Sequence, residues 1–221
     1  MDVFQAVATR RSIRKFMPAP VAEDLLREIL DAARWSPSWG NTQPWEIAVV
    51  TGEPLKRLRE ANRQRLSDGI PPEPDTPMPV GWPESLKKRY GDVGKRVLGA
   101  LGIPREDRAA RDRYTGDMFA LFDAPCLFLF SVGKNIAREY AMLDVGAIVQ
   151  TVCLLAHARG LGSCILAASV HHPELIRQIV HIPVEKAVIV GVALGYPDPD
   201  APVNQFERER ANPDEFTVWV R

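Results

Sequence analysis

Several kinds of chemistry are missing from this 221-residue chain. It has no Cys-x-x-Cys pair and no His-Glu-x-x-His stretch, and the spacing of His171, His172 and His181 fits no standard metal site, so no metal is expected. Its three cysteines, Cys126, Cys153 and Cys164, are an odd number, each among apolar neighbours. They read as buried free thiols in a reducing compartment, not as a disulfide framework. No Gly-x-Gly-x-x-Gly follows a candidate strand, which argues against a Rossmann dinucleotide domain. Lys and Arg total 28 and Asp and Glu also total 28, so bulk charge does not favour nucleic acid as a partner. No apolar run reads as long enough to cross a bilayer, and Met1-Asp2-Val3-Phe4 lacks the basic-then-apolar layout of a secretory signal. A cytoplasmic protein is the expectation. No Ser-His-Asp or paired-carboxylate constellation stands out. What is present, 46% hydrophobic residues, suffices for a sizeable core in one domain, residues 1–221.

Helices and strands alternate along the chain. A short helix is expected at 2–9. A clear amphipathic helix is expected at 21–35, where Leu25, Leu26, Ile29, Leu30 and Ala33 recur at helical spacing after Pro20. A strand follows at 46–51, a Gly-Glu-Pro turn at 52–54 and a helix at 55–66. Residues 67–83 then hold six prolines and two glycines, which excludes a helix or a central strand. So long a loop is either disordered or functional, and Trp82, Tyr90 and Tyr114 nearby suggest a lid or insertion spanning 67–117. Further on, the pattern predicts a buried strand at 126–132 and a long helix at 135–159, apolar on most sides. Such a helix suits a core that also meets a second subunit. Asp144 is its odd polar residue, read as a hydrogen-bond partner of a neighbouring loop. Strands at 163–167 and 187–194, a helix at 173–180 and an alternating strand at 215–220 complete the pattern. These elements suit an α+β fold, a mixed and mostly antiparallel sheet flanked by helices, though pattern alone does not separate it from an open α/β sheet.

Two segments carry the chemistry. The first is Arg10-Arg11-Ser12-Ile13-Arg14-Lys15-Phe16. Guanidinium forks beside a hydroxyl suit a phosphate monoester, although an arginine pair on a surface helix is also an ordinary solvated face. The second is Trp35-Ser36-Pro37-Ser38-Trp39-Gly40-Asn41-Thr42-Gln43-Pro44-Trp45, whose amides can read the edge of a planar heterocycle. Alone, it would pass for a helix-to-strand loop punctuated by Gly and Pro. The two in this order, separated by one amphipathic helix, resemble the N-terminal signature of the FMN-dependent nitroreductase family. The resemblance extends with gaps over residues 2–219 and is weak at 62–117.

The resemblance implies an intertwined homodimer with FMN at the subunit interface and a C-terminal extension, residues 202–221, reaching the partner. By the same likeness Arg10, Arg11 and Ser12 take the phosphate, and Arg14 approaches the ribityl chain or the pyrimidine edge. Pro37, Ser38, Asn41 and Gln43 contact the isoalloxazine from the partner subunit. The turn Leu166-Ala167-Ala168 presents backbone N–H to flavin N5, and Arg208 and Arg210 close on the phosphate. The implied activity is hydride transfer from NADH or NADPH to nitroaromatic or quinone acceptors by a ping-pong mechanism, with no catalytic side chain, since flavin N5 carries the hydride. Flat acceptors suit aromatic walls, for which Trp39, Trp82, Tyr90 and Phe122 are candidates, Phe122 being equally a core residue. The divergent 62–117 region leaves room for flavin destruction or for reductive dehalogenation using Glu84, Lys87, Lys88 and Tyr90. An FMN-binding or sensing protein without reductase activity is a further alternative.

Overall fold

The computed structural model describes all residues 1–221. Strand β1 (Trp45–Thr51), β2 (Cys126–Gly133), β3 (Gly162–Leu166) and β4 (Lys186–Gly195) form one sheet in the order β1-β2-β4-β3. Every strand pair in it is antiparallel. The mixed element of the expected sheet is reduced to a single parallel bridge, Ser12 with Ser163, on the outer edge of β3.

Alternation along the strands sorts the side chains into two cores. On β2, Cys126, Phe128, Phe130 and Val132 enter one core and Leu127 and Leu129 enter the other. Helices α1 (Val3–Thr9), α2 (Glu23–Ala33) and α6 (Arg138–Ala158) lie on the first side. Helices α3 (Gly52–Ser67), α5 (Arg108–Phe119) and α7 (Pro173–Val180) cover the second. On β4, Ala187 and Val192 face the same core although they are five positions apart, an odd offset. The register shift opposite Phe130 and Ser131 accounts for this: an extra β4 residue resets the alternation there.

Five sequence expectations need correction. Gly52-Glu53-Pro54 is not a separate turn but the first turn of α3, where a proline is tolerated because its missing N–H has no helical partner to lose. The 62–117 region contains two helices that the pattern did not give, α4 (Glu84–Ala100) and α5. Helix α4 buries only Val97, so it carries no apolar stripe to read. The long apolar helix starts at Arg138 rather than 135. By length and composition it could cross a membrane, contrary to expectation, but eight of its residues are buried within this fold, where it serves as a core helix. The strand expected at 215–220 does not form; Pro213–Glu215 is a 3-10 turn and no strand follows. A strand needs a neighbouring edge, and this tail pairs with none in its own chain.

Residues 70–83 form neither helix nor strand, as their prolines require. The middle of this stretch is fastened down. The Glu73 N–H donates to the His171 carbonyl at 3.0 Å. The half-buried Asp75 carboxylate accepts from Arg177 Nη2 at 2.6 Å and from the Val188 N–H at 2.8 Å. Its carbonyl accepts from Arg138 Nη1 at 2.8 Å. Residues 73–75 are therefore a strap tied to β4, α6 and α7 rather than a free lid.

The N-terminal segment is fitted to β3 just as closely. A Cβ on Gly162 would lie 2.5 Å from Ile13 Cγ1, and Ile13 is itself buried. Gly162→Ala is expected to lower stability by about 1–3 kcal/mol through overpacking. Urea unfolding checks this, and an unchanged midpoint would mean that Ile13 can retreat.

Candidate functional site

The parallel bridge and the bond from the Ile13 N–H to the Ser163 carbonyl, 2.9 Å, lay residues 10–15 along the edge of β3. The C-terminal segment lies against the other side of this strip. Arg11 donates to the carbonyls of Asn204 and, at 3.1 Å, Phe206. From the opposite direction Arg208 donates to the carbonyls of Arg10 and, at 2.6 Å, Ala8. These two guanidiniums latch the termini together and satisfy carbonyls at the end of α1. The Arg10 side chain takes part in no hydrogen bond or ion pair, and Arg210 donates only to the carbonyl of its neighbour Glu209.

The result is a cluster of four guanidiniums with no carboxylate bridged to any of them. Burial, then the charges of Arg11, Arg210 and Arg10, push Arg208 below its ordinary pKa. Burial, then Arg10 and Arg208, likewise push down His157, whose Nε2 lies 2.7 Å from Thr9 Oγ1. Ser163 Oγ is buried beneath the cluster without a hydrogen-bond partner. A cavity of about 420 Å³ opens here, lined by Arg10, Arg11, Ser163, His157 and Asn204 among others. Uncompensated cations facing one cavity fit the phosphate end of an anionic cofactor.

Arg14 points to a second and larger cleft of about 1370 Å³, walled by α3, α5 and residues 198–203. Its guanidinium lies 5.8 Å from the Phe206 ring centroid and donates to the Ser12 carbonyl at 3.3 Å. Tyr114 and Phe122 line the same cleft with ring centroids 5.9 Å apart. Phe122 is both a core residue and a wall residue. Leu121, Phe122 and Asp123 all adopt left-handed backbone, a strained run for residues with side chains.

The second signature segment lies elsewhere. Trp39–Asn41 is a 3-10 turn, with Gly40, Asn41 and Gln43 at positive φ. Ser38 Oγ accepts from the Gln43 N–H at 2.9 Å, and Gln43 Nε2 donates to Asn41 Oδ1 at 3.2 Å. Gln43 thus braces Asn41. Asp144 on α6 accepts from the Trp39 N–H at 3.1 Å, the loop contact expected of it, and the Trp39 ring packs on Tyr140 at 4.5 Å. This loop meets α6 near Asp144, while the arginine cluster meets the same helix near His157. Thirteen residues at 1.5 Å each put the two about 20 Å apart within one chain.

The remaining candidates divide similarly. Leu166 ends β3, and Ala167 and Ala168 begin a 3-10 turn, with Leu166 and Ala168 buried. Trp82 and Tyr90 are exposed around the start of α4 and do not line the large cleft. Sequence reasoning missed Asn204, a buried amide between the two cavities; only its polarity in an otherwise ordinary turn could have marked it.

The sequence model of the nitroreductase family matches residues 7–196. The chain belongs to the nitroreductase family. A 4-nitrobenzoate reductase of Pseudomonas putida is 35% identical over 220 residues, covering 99% of this chain and 96% of its own length. A nitrobenzene nitroreductase of Ectopseudomonas oleovorans is 34% identical, covering 97% and 95%. Among solved structures, the FMN- and NADPH-dependent nitroreductase NfnB of Sphigopyxis sp. strain HMH superposes with a TM-score of 0.95 at 30% identity over the whole of both chains. NfnB of Mycobacterium smegmatis, an FMN-dependent nitroreductase solved with NADPH, gives 0.91 at 30% identity, also over the whole of both chains. The α+β nitroreductase fold is thereby shown for this chain.

Within this nitroreductase, Asp144 ties the turn carrying Trp39 to α6 by a hydrogen bond. Asp144→Ala is expected to cost about 1 kcal/mol by removing the acceptor of the Trp39 N–H. Asp144→Asn keeps an acceptor and should regain most of the loss. Thermal unfolding of both variants distinguishes this role from simple packing, for which Asn and Ala would differ little.

Proposed function

We propose that this nitroreductase is an FMN-dependent oxidoreductase that takes hydride from NADH or NADPH and delivers it to nitroaromatic or quinone-type acceptors. The observation that carries the proposal is the uncompensated arginine cluster over Ser163, set in a chain of nitroreductase fold from end to end. Bound FMN supplies the hydride chemistry, with donor and acceptor taking turns in one slot.

The protein's part is to bind, orient and tune. Arg10 and Ser12 would hold the phosphate, since the Arg10 guanidinium is otherwise unengaged. Arg11 and Arg208 hold the main chain of the site in place, and Arg210 adds positive charge. Arg14, at the mouth of the large cleft, would place a cation beside the pyrimidine edge, where it favours the anionic reduced ring. Backbone N–H at the Leu166-Ala167-Ala168 turn would face N5. Phe122 and Tyr114 offer an apolar wall to a flat acceptor.

The proposed assembly is a homodimer. Pro37, Ser38, Asn41 and Gln43 lie about 20 Å from the arginine cluster along one helix, so a second copy is needed to bring them to the same ring. Apolar surface without cover supports this: Phe4 is 85% exposed, Leu143 70% and Trp219 75%. Residues 202–221 would form the extension that reaches the partner, and 67–117 the insertion that separates this chain from compact relatives. Three free buried thiols suit the cytoplasm.

The purified protein should be yellow, bleach anaerobically with one of the two nucleotides and recover colour on addition of a nitroarene or quinone. Yellow protein that neither nucleotide bleaches would favour an FMN-binding protein without reductase activity. Arg10→Ala combined with Ser12→Ala should release FMN on gel filtration, and a variant that stays yellow would overturn the phosphate assignment. Arg14→Ala should lower the flavin midpoint potential; an unchanged potential would remove Arg14 from the pyrimidine edge.

A further inference from the structure

Asn204 occupies a position that the proposed cofactor chemistry depends on without touching the cofactor. It lies in the 3-10 turn Pro202–Asn204 and is only 6% exposed. Every polar group it owns is engaged. Its Oδ1 accepts the Arg14 N–H at 2.8 Å. Its Nδ2 donates to the Lys15 carbonyl at 2.8 Å and to the Asp198 carbonyl at 3.0 Å. Its main-chain carbonyl accepts Arg11, and its N–H donates to Ala201 at 2.9 Å.

We infer that Asn204 is a positioning residue that sets the Arg10–Arg14 strip in register with the C-terminal segment, and so aims Arg14 into the large cleft; the inference rests on the proposed FMN function. The Arg14 N–H needs an acceptor and the Asp198 carbonyl a donor, a short distance apart, while the Lys15 carbonyl, already bonded to the Asp198 N–H at 3.1 Å, takes a second donor. A carboxamide does both at once; a carboxylate does not, because it has no donor for the two carbonyls. The same turn precedes Phe206, over which the Arg14 guanidinium lies. Fixing Asn204 therefore fixes both the backbone and the ring that direct Arg14.

Beside the Arg11 and Arg208 latch, two surface ion pairs hold the same segment more weakly. Helix α4 reaches it through the pairs Arg96–Glu209 and Arg89–Glu215, with Glu209 68% and Glu215 53% exposed in their side chains. Exposed pairs contribute little. The buried amide, whose loss leaves the Arg14 N–H and the Asp198 carbonyl unpaired, governs the register.

The test compares wild type with Asn204→Leu, which removes both acceptor and donor at similar size, and, as a milder change that keeps one hydroxyl, Asn204→Ser. Ile148→Val, in the core of α6, serves as a destabilised control. Three readouts are taken: hydrogen exchange at the Arg14 amide in apoprotein, FMN affinity by titration of apoprotein, and the flavin midpoint potential. Both Asn204 variants should speed exchange at Arg14, weaken FMN binding by about tenfold and lower the potential, as loss of one buried hydrogen-bond set implies. Ile148→Val should lower the melting temperature and leave the potential where it was. Should Asn204→Leu fail to fold, Asn204→Ser carries the test alone. Unchanged Arg14 exchange, or faster exchange with FMN affinity and potential both unmoved, overturns the positioning role. Wild-type apoprotein that takes up no FMN sinks the proposed function instead, and Arg14 exchange in the variants then still decides whether Asn204 sets the register.

Discussion

The candidate site depends on one seam: residues 10–15 lie between the edge of β3 and the C-terminal segment, bonded to both. On the sheet side the seam is short and steric. Ile13 fills the space that a side chain at Gly162 would need, and a single parallel bridge fixes its register. On the other side it is polar, built from Asn204, Arg11 and Arg208 acting on main-chain groups. Neither side alone would hold a strip of charged residues in one conformation, because each added ordered residue costs about 1–2 kcal/mol of backbone entropy. Together they turn the N-terminal stretch into a shelf from which Arg10 faces one cavity and Arg14 faces another.

The seam also separates the arginines by role. Arg10, Arg11, Arg14, Arg208 and Arg210 look interchangeable as letters, and all five read as cofactor ligands. In the fold, Arg11 and Arg208 point at backbone carbonyls in opposite directions, while Arg10 is left without a partner. A latch and a ligand differ only in what lies within reach. For Arg11 and Arg208 that is residues nearly two hundred positions away, which no local pattern encodes. The signature's chemistry was legible in sequence; the assignment of each guanidinium was not.

Much of the scaffold was legible for a plain reason. Helix Pro173–Val180 was read to the residue, because proline opens it and an amphipathic stripe runs its length. The buried strands β2 and β4 were placed within a residue at each end, since continuous apolar runs bounded by Gly and Pro have few alternatives. Helices α4 and α5 escaped because they bury almost nothing: Val97 alone in one, Ala110 and Phe119 in the other. The strap at Glu73 and Asp75 escaped for the opposite reason. Its prolines were visible, but the carboxylate that ties it down pairs with Arg177 and Val188, far along the chain. Asn204 is the sharpest case, a single amide whose importance lies wholly in what the fold brings to it.

The tail after residue 212 and the turn at 40–43 belong to the same argument. Both are well defined locally, by a capping box at Asn212 and by a brace from Gln43 to Asn41, yet the tail's tie to the rest of its own chain is the exposed Arg89–Glu215 pair and the turn's is the neighbouring Trp39 contact with Asp144. Positive φ at Asn41 and Gln43 costs energy that local contacts alone do not return. The strained run at Leu121-Phe122-Asp123 does have a visible return, since it holds Phe122 in the cleft wall. By that standard the 40–43 turn has no such return within its own chain, and in the proposed homodimer a second copy would supply the surface that gives it one.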